Sequence, residues 1–306
     1  MENERYFPKS RTTLSPQTVR IVEQVLEKIP PLPVSVQKIV EMTMGNDIGA
    51  KELAEVALTD PVLSSKVLTL VNSSYYALNR RIDDMRVAIV LIGFNTLQNI
   101  ALQGRFLDVF ENDDDEGLYN RDRLWVHSYL VSVCAESLLG GDNPKRQGML
   151  ATMGILHDIG KYALYMMDKM IREKGIGAAR PEAESDMPFL KREEQYFGVN
   201  HSIVGGMLAN QWNLSERICS VLEYHHHPSF YPLESLPEQY RENIAAISMS
   251  DMVVNRFTGE DMGLCDLSGE YYDQLGLNPP LERVLSDNVV KRLSKAREFI
   301  LSIQDS

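Results

Sequence analysis

Apolar residues recur along this chain at three- and four-residue intervals, and nowhere in a sustained alternation. Val19, Val22, Leu26 and Ile29 form one such stripe, in a segment opened by Ser15-Pro16. A serine N-cap followed by a first-turn proline is a helix start, because the hydroxyl accepts an orphan N–H and proline has none to lose. The prolines of "IPPLP" (29–33) end that helix, since they cannot continue its hydrogen bonding. Asp60-Pro61 repeats the start signal ahead of "VLSSKVLTLVNSSYY". The same spacing predicts helices around 34–44, 50–58, 84–92 and 94–109, and a last one through "VVKRLSKAREFILSI". The fold class that follows is all-α.

Breaks in the pattern divide the chain. The acidic run "ENDDDEG" (111–117) reads as a solvated connection between two lobes. "GGDNP" (140–144) is a turn, and residues 173–188, rich in Gly, Ala and Pro, read as a loop. The organisation expected is an N-terminal extension (1–19), a main domain (20–255) with lobes at 20–117 and 118–255, and a C-terminal helical extension (256–306). No internal repeat is evident.

Where the polar residues interrupt the apolar stripes is more informative than their number. The six histidines are His127, His157, His201, His225, His226 and His227. His127 falls in the stripe Leu124, His127, Val131, Cys134, and His201 opens the stripe His201, Val204, Met207, Leu208. Asp251 interrupts Ile244, Ile247, Val254, where an unpaired carboxylate would be costly to bury. His157 and Asp158 are read as adjacent on one helix, about 100° apart, with Lys161 a turn further on. His225 and His226 form a second adjacent pair, whereas His227, before Pro228, reads as a loop residue. A lone histidine on an apolar face is more often a hydrogen-bonded core residue than a ligand. The stations taken together are harder to read as a polar seam, because imidazoles and carboxylates converging from separate helices are what a buried cation requires. Imidazole and carboxylate without thiolate suit Fe or Mn, with Zn admitted, and suit Mg less well.

Composition narrows the setting. Hydrophobic residues make up 44% and charged residues 24% of the 306, values ordinary for a globular protein. The longest apolar run, "VAIVLIGF" (87–94), is far short of the ~20 residues of a membrane span. A formal net charge of -12 argues against broad binding to nucleic acid or an anionic membrane. Three cysteines (Cys134, Cys219, Cys265), none in a CxxC pair, fit free thiols in a reducing cytoplasm. A cytoplasmic protein with no nucleic-acid or membrane partner is the expectation.

The order His…His-Asp…His…His-His…Asp resembles that of the HD-domain superfamily, which includes metal-dependent phosphohydrolases and the HD-GYP cyclic di-GMP phosphodiesterases. The resemblance implies that His127, His157, Asp158 and Asp251 are core metal ligands and that His201, His225 and His226 serve a second metal. It also implies that Lys161 contacts substrate phosphate or the nucleophilic water. Nothing after "YHHHPSFYP" resembles a "DGxGYP" signature, which argues against cyclic di-GMP hydrolysis. Arg123 stands where trinuclear members carry a glutamate, which argues against a third metal. Residues 29–102, with the Pro-rich opening, "DPVLSSKVLTLVNSSYY" and "AIVLIGFNTLQNIAL", look like the start of an HDOD domain. "EEQYFGVNHSIVGGMLANQWNLSERICSVLEYHHHP" (193–228) fits the same family.

HDOD domains are regarded mostly as regulatory modules of bacterial signalling, many having lost their ligands, whereas every mapped two-metal ligand is present here. Two functions therefore stand. One is a bacterial regulatory module, binding one or two divalent metals and a protein partner or small phosphorylated ligand. The other is a metal-dependent phosphohydrolase, in which Lys161 and Asp158 are the catalytic residues.

Overall fold

The computed structural model describes residues 6–44, 49–73, 75–109, 119–174, 188–260 and 264–304. The acidic run 111–117 and most of the loop expected at 173–188 lie outside them. Among the described residues every regular element is helical. In chain order these are α1 (Pro16–Leu26), α2 (Val34–Met44), α3 (Ala50–Ala57), α4 (Pro61–Val71), α5 (Met85–Ile92) and α6 (Phe94–Val109). They continue as α7 (Arg121–Leu139), α8 (Pro144–Leu156), α9 (Ile159–Lys174), α10 (Phe189–Phe197) and α11 (His201–Gln211). The last five are α12 (Glu216–Tyr224), α13 (Arg241–Thr258), α14 (Gly269–Leu275), α15 (Leu281–Val284) and α16 (Asp287–Gln304). Among the described residues no single helix is long and apolar enough to cross a membrane.

The expected start signals work as caps. Ser15 accepts a hydrogen bond from the Thr18 amide, and Asp60 accepts from the amides of Val62 and Leu63. Each such cap is worth about 1 kcal/mol. Full burial of one aliphatic side chain contributes about 2 kcal/mol. The caps therefore place the helix ends, while packing holds the helices in being.

The chain forms two compact units whose segments interleave. One unit comprises residues 32–112, 121–155 and 288–306, that is α2 to α8 with most of α16. Within it α2 lies on α6, α3 on α5, and α4 against α5 and α6. Ile39, Leu53, Val67, Ile89, Leu97 and Leu102 are fully enclosed in its core. Asn72 ties its longest described connection, donating from Nδ2 to the Ile82 carbonyl and accepting from the Ile82 amide, both at 2.8 Å.

The other unit comprises residues 1–31, 113–120 and 156–287. Its centre is α11, flanked by α9 on one side and α12 on the other. The approach of α9 to α11 depends on Gly160, because a Cβ there would overlap the His201 carbonyl and lie 2.6 Å from the Gly205 nitrogen. α13 packs on α12 and α14, and its residues from Ile244 to Asn255 are all buried. The single-faced stripe read for α13 is therefore a helix enclosed on every side.

Candidate metal centre

His157 and Asp158 do not share a helix. α8 ends at Leu156 and α9 begins at Ile159, so the pair occupies the turn between them. The amide of Lys161 bonds back to the Asp158 carbonyl at 2.9 Å, which makes Asp158 the residue that opens α9. The apolar pattern runs through this turn unbroken, so periodicity alone could not show it. The turn lets two neighbouring side chains converge where helical residues would diverge by about 100°.

Four further elements of the same unit supply the remaining side chains. His201 is the first residue of α11, after an Asn200 N-cap that accepts from the Ile203 amide. His225 caps the C-terminus of α12 and His226 follows it. Asp251 comes from α13, and Lys161 from the first turn of α9. His157, Asp158, His201 and His225 are wholly inaccessible, and Asp251 is 2% exposed.

Asp158 is the hub. Its Oδ1 lies 3.1 Å from His201 Nε2 and 3.8 Å from His225 Nε2, while its Oδ2 lies 3.3 Å from His157 Nε2. His201 Nε2 and His226 Nε2 face each other at 3.0 Å. Asp251 closes the other side, with Oδ1 3.8 Å from His157 Nε2 and Oδ2 3.7 Å from His226 Nδ1. One ligand atom from each of Asp158, His201, His225 and His226 fits within a 4.8 Å span. The Lys161 ammonium closes on Asp158 Oδ2 at 2.5 Å.

The surroundings fix how these rings present themselves. His225 Nδ1 sits 2.8 Å from the Leu222 carbonyl, an acceptor, so Nδ1 carries the proton and Nε2 the lone pair. That buried Nε2 has no hydrogen-bond partner among the described residues and is aimed at Asp158. His201 Nδ1 lies 2.7 Å from Glu193 Oε2, leaving its Nε2 directed at Asp158. Glu193 also accepts from the His201 amide at 2.8 Å and from the Tyr119 hydroxyl at 2.6 Å. A carboxylate behind a histidine is the usual device for orienting a ligand ring and raising its basicity. Sequence reading missed Glu193, although Leu190, Glu193 and Phe197 mark the inward face of α10.

The electrostatics favour the forms a cation needs at Asp158, His225 and His226. Burial and the nearby His157 and His201 push His225 down to about 3, and burial with His225 and His201 drives His226 well below its usual range. Both rings therefore stay neutral near pH 7. Burial raises Asp158, but His157 and Lys161 overcome it and hold the carboxyl well below its ordinary value. Burial lowers His157, His201 and Lys161, yet the neighbouring carboxylates leave all three raised. The ionised Asp158, the neutral rings of His225 and His226 and the orphaned His225 Nε2 fit a divalent cation, whose binding would displace protons from His157 and His201.

Of the residues singled out from the sequence, the unit containing α9 to α13 unites His157, Asp158, Lys161, His201, His225, His226 and Asp251. His127 lies on α7, in the other unit, where it is buried. His227 stands outside the cluster, its ring 4.7 Å from that of Tyr224 and 4.9 Å from that of Tyr231.

The model of the HDOD domain family matches residues 29–228. An uncharacterized protein of Treponema pallidum is 25% identical over 250 residues, 80% of this chain and 46% of that protein. The chain thus spans about half the length of the curated relative it matches. The crystal structure of an HDOD domain protein of unknown function from Geobacter sulfurreducens is similar with a TM-score of 0.66 at 23% identity, covering 94% of this chain and 98% of that one. That of a candidate signal transduction protein from Marinobacter aquaeolei is similar with a TM-score of 0.69 at 17% identity, covering 94% and 65%. At these identities the likeness concerns the fold.

Proposed function

The chain belongs to the HDOD family, and on that premise we propose that it is a regulatory module of bacterial signalling built around a buried divalent metal centre. His157, Asp158, His201, His225, His226 and Asp251 are the residues that would hold one or two ions, Fe or Mn before Zn. The observation that carries this reading is the enclosure of the ligands, four of them wholly inaccessible. A centre closed to this degree stabilises the crossing of α9, α11, α12 and α13 by binding only the folded state. The module's output then passes to a protein partner, or is set by a small phosphorylated ligand.

A second reading, a metal-dependent phosphohydrolase, is supported by the Lys161 ammonium beside a complete His/Asp set. A metal held there supplies Lewis-acid chemistry. Lys161 would orient an anionic phosphoester, and Asp158 would hold that ammonium in place.

Metal analysis of protein purified without chelator separates these readings, run beside His157→Ala and Asp158→Ala. The regulatory reading expects stoichiometric Fe or Mn in the parent protein, its loss in both variants with a lower Tm, and no turnover across a panel of phosphoesters. Turnover that disappears in Lys161→Ala would replace it with the phosphohydrolase. Parent protein with no bound metal would sink both readings and leave a polar core.

A further inference from the structure

The unit that does not carry the cluster around Asp158 contains a cavity of about 780 Å³, walled by α6, α7, the start of α8 and the ends of α2 and α5. That volume is within the range of small-molecule sites, roughly 300–1,000 Å³. Asn99, on α6, lines it and is 94% buried by its 6% exposure, yet its side chain makes no hydrogen bond among the described residues. The neighbouring amide in the same helix behaves differently. Gln98 is fully buried and exchanges hydrogen bonds with Thr152 at 2.8 and 3.0 Å. This unit therefore satisfies its structural amide and leaves Asn99 on the cavity wall. An amide free at a cavity wall can exchange water for a ligand's donors and acceptors.

The rest of the wall indicates what ligand this is. Asn95 stands one helical turn before Asn99 and lines the same wall as Glu136, whose carboxyl burial pushes upward. Two amides with a carboxyl form a recognition edge for a planar ring carrying both N–H donors and carbonyl acceptors. Tyr129 and Ile92 supply an aromatic and an aliphatic surface for the faces of such a ring. At the exposed margin stands Lys145, in the first turn of α8, with its amide free of the intrahelical ladder. An ammonium at the start of a 13-residue helix attracts an anion. A ring that donates and accepts, joined to an anionic group, describes a nucleotide.

We propose that this cavity is a nucleotide-binding site, with the base held by Asn99, Asn95 and Glu136 and the phosphate by Lys145 and the start of α8. The proposal does not require the metal centre to be catalytic.

Isothermal titration of the full chain with GMP, AMP, UMP, CMP and inorganic phosphate tests it. At least one nucleotide is expected to bind with a micromolar Kd while phosphate alone gives no saturable heat. Asn99→Leu is expected to weaken that binding by about tenfold or more, the consequence of losing a buried amide contact. Lys145→Ala, on an exposed residue that cannot unfold the core, is expected to weaken it severalfold. Asp158→Asn is expected to leave it unchanged. The proposal is overturned if no nucleotide binds, if Lys145→Ala and a folded Asn99→Leu both bind normally, or if binding disappears in an Asp158→Asn variant shown to be folded by far-UV circular dichroism.

Discussion

Glu193 grips His201 twice, taking the ring Nδ1 at 2.7 Å and the backbone amide at 2.8 Å through the same Oε2. The ring is thereby fixed with Nε2 3.1 Å from Asp158. Glu193→Gln keeps the shape but removes the charge that makes His201 a strong donor. Metal affinity, measured by competition with a chromophoric chelator, is expected to fall by about 10- to 100-fold. Far-UV circular dichroism should not change, and an unaltered affinity would remove Glu193 from the site.

Lys161 neutralises an aspartate that is otherwise wholly enclosed. Lys161→Met leaves that carboxylate without its cation. Urea unfolding in the presence of a chelator is expected to show a loss of about 3 kcal/mol, the scale of a broken buried pair. Added Mn2+ should narrow the gap between variant and parent, because a bound cation takes over the neutralisation.

Gly160 and Gly269 make a matched test of packing. A Cβ at Gly160 would run into the backbone of α11, whereas one at Gly269 meets nothing within 4 Å. Gly160→Ala is expected to cost about 2 kcal/mol or more by forcing α9 from α11. Gly269→Ala should be neutral or stabilise by about 0.5 kcal/mol through the unfolded chain. Thermal melts of the two variants report the difference directly.

Glu136 sets a pH dependence for the unit that holds the cavity. Burial raises its pKa, with Asn95 and Arg292 pulling only part of the way back. The folded chain thus keeps the proton to higher pH than the unfolded chain. This contribution to stability is whole below the ordinary glutamate range and is lost as pH rises through the raised value. Glu136→Gln removes the titration. Denaturant melts from about pH 4 to pH 7 should find variant and parent closest at the acid end, with the variant gaining as pH rises. A constant difference across that range would contradict the buried carboxylate.

The residue types of the centre were legible in the sequence because they interrupt apolar stripes, as His201 and Asp251 do, and burial punishes such interruptions unless they are matched. Glu193 carried the same signal on α10 and was passed over, because two adjacent glutamates in a charged segment resemble a solvated face. The break at His157-Asp158 left no mark, since the apolar positions of α8 and α9 run on across it. Asn99 was equally hidden. An amide in a helix looks the same in sequence whether it meets a partner, as Gln98 does, or a cavity.

The sequence by itself determined the helical class, the starts at Ser15 and Asp60, and the chemistry of the donors, because caps, prolines and periodicity act over one or two turns. Only the tertiary structure decided which donors meet. Whether Asp158 touches His201 depends on how closely α9 approaches α11, and that is set by Gly160 against a backbone some forty residues away. Convergence of side chains from separate helices is a property of packing, and no local pattern encodes it.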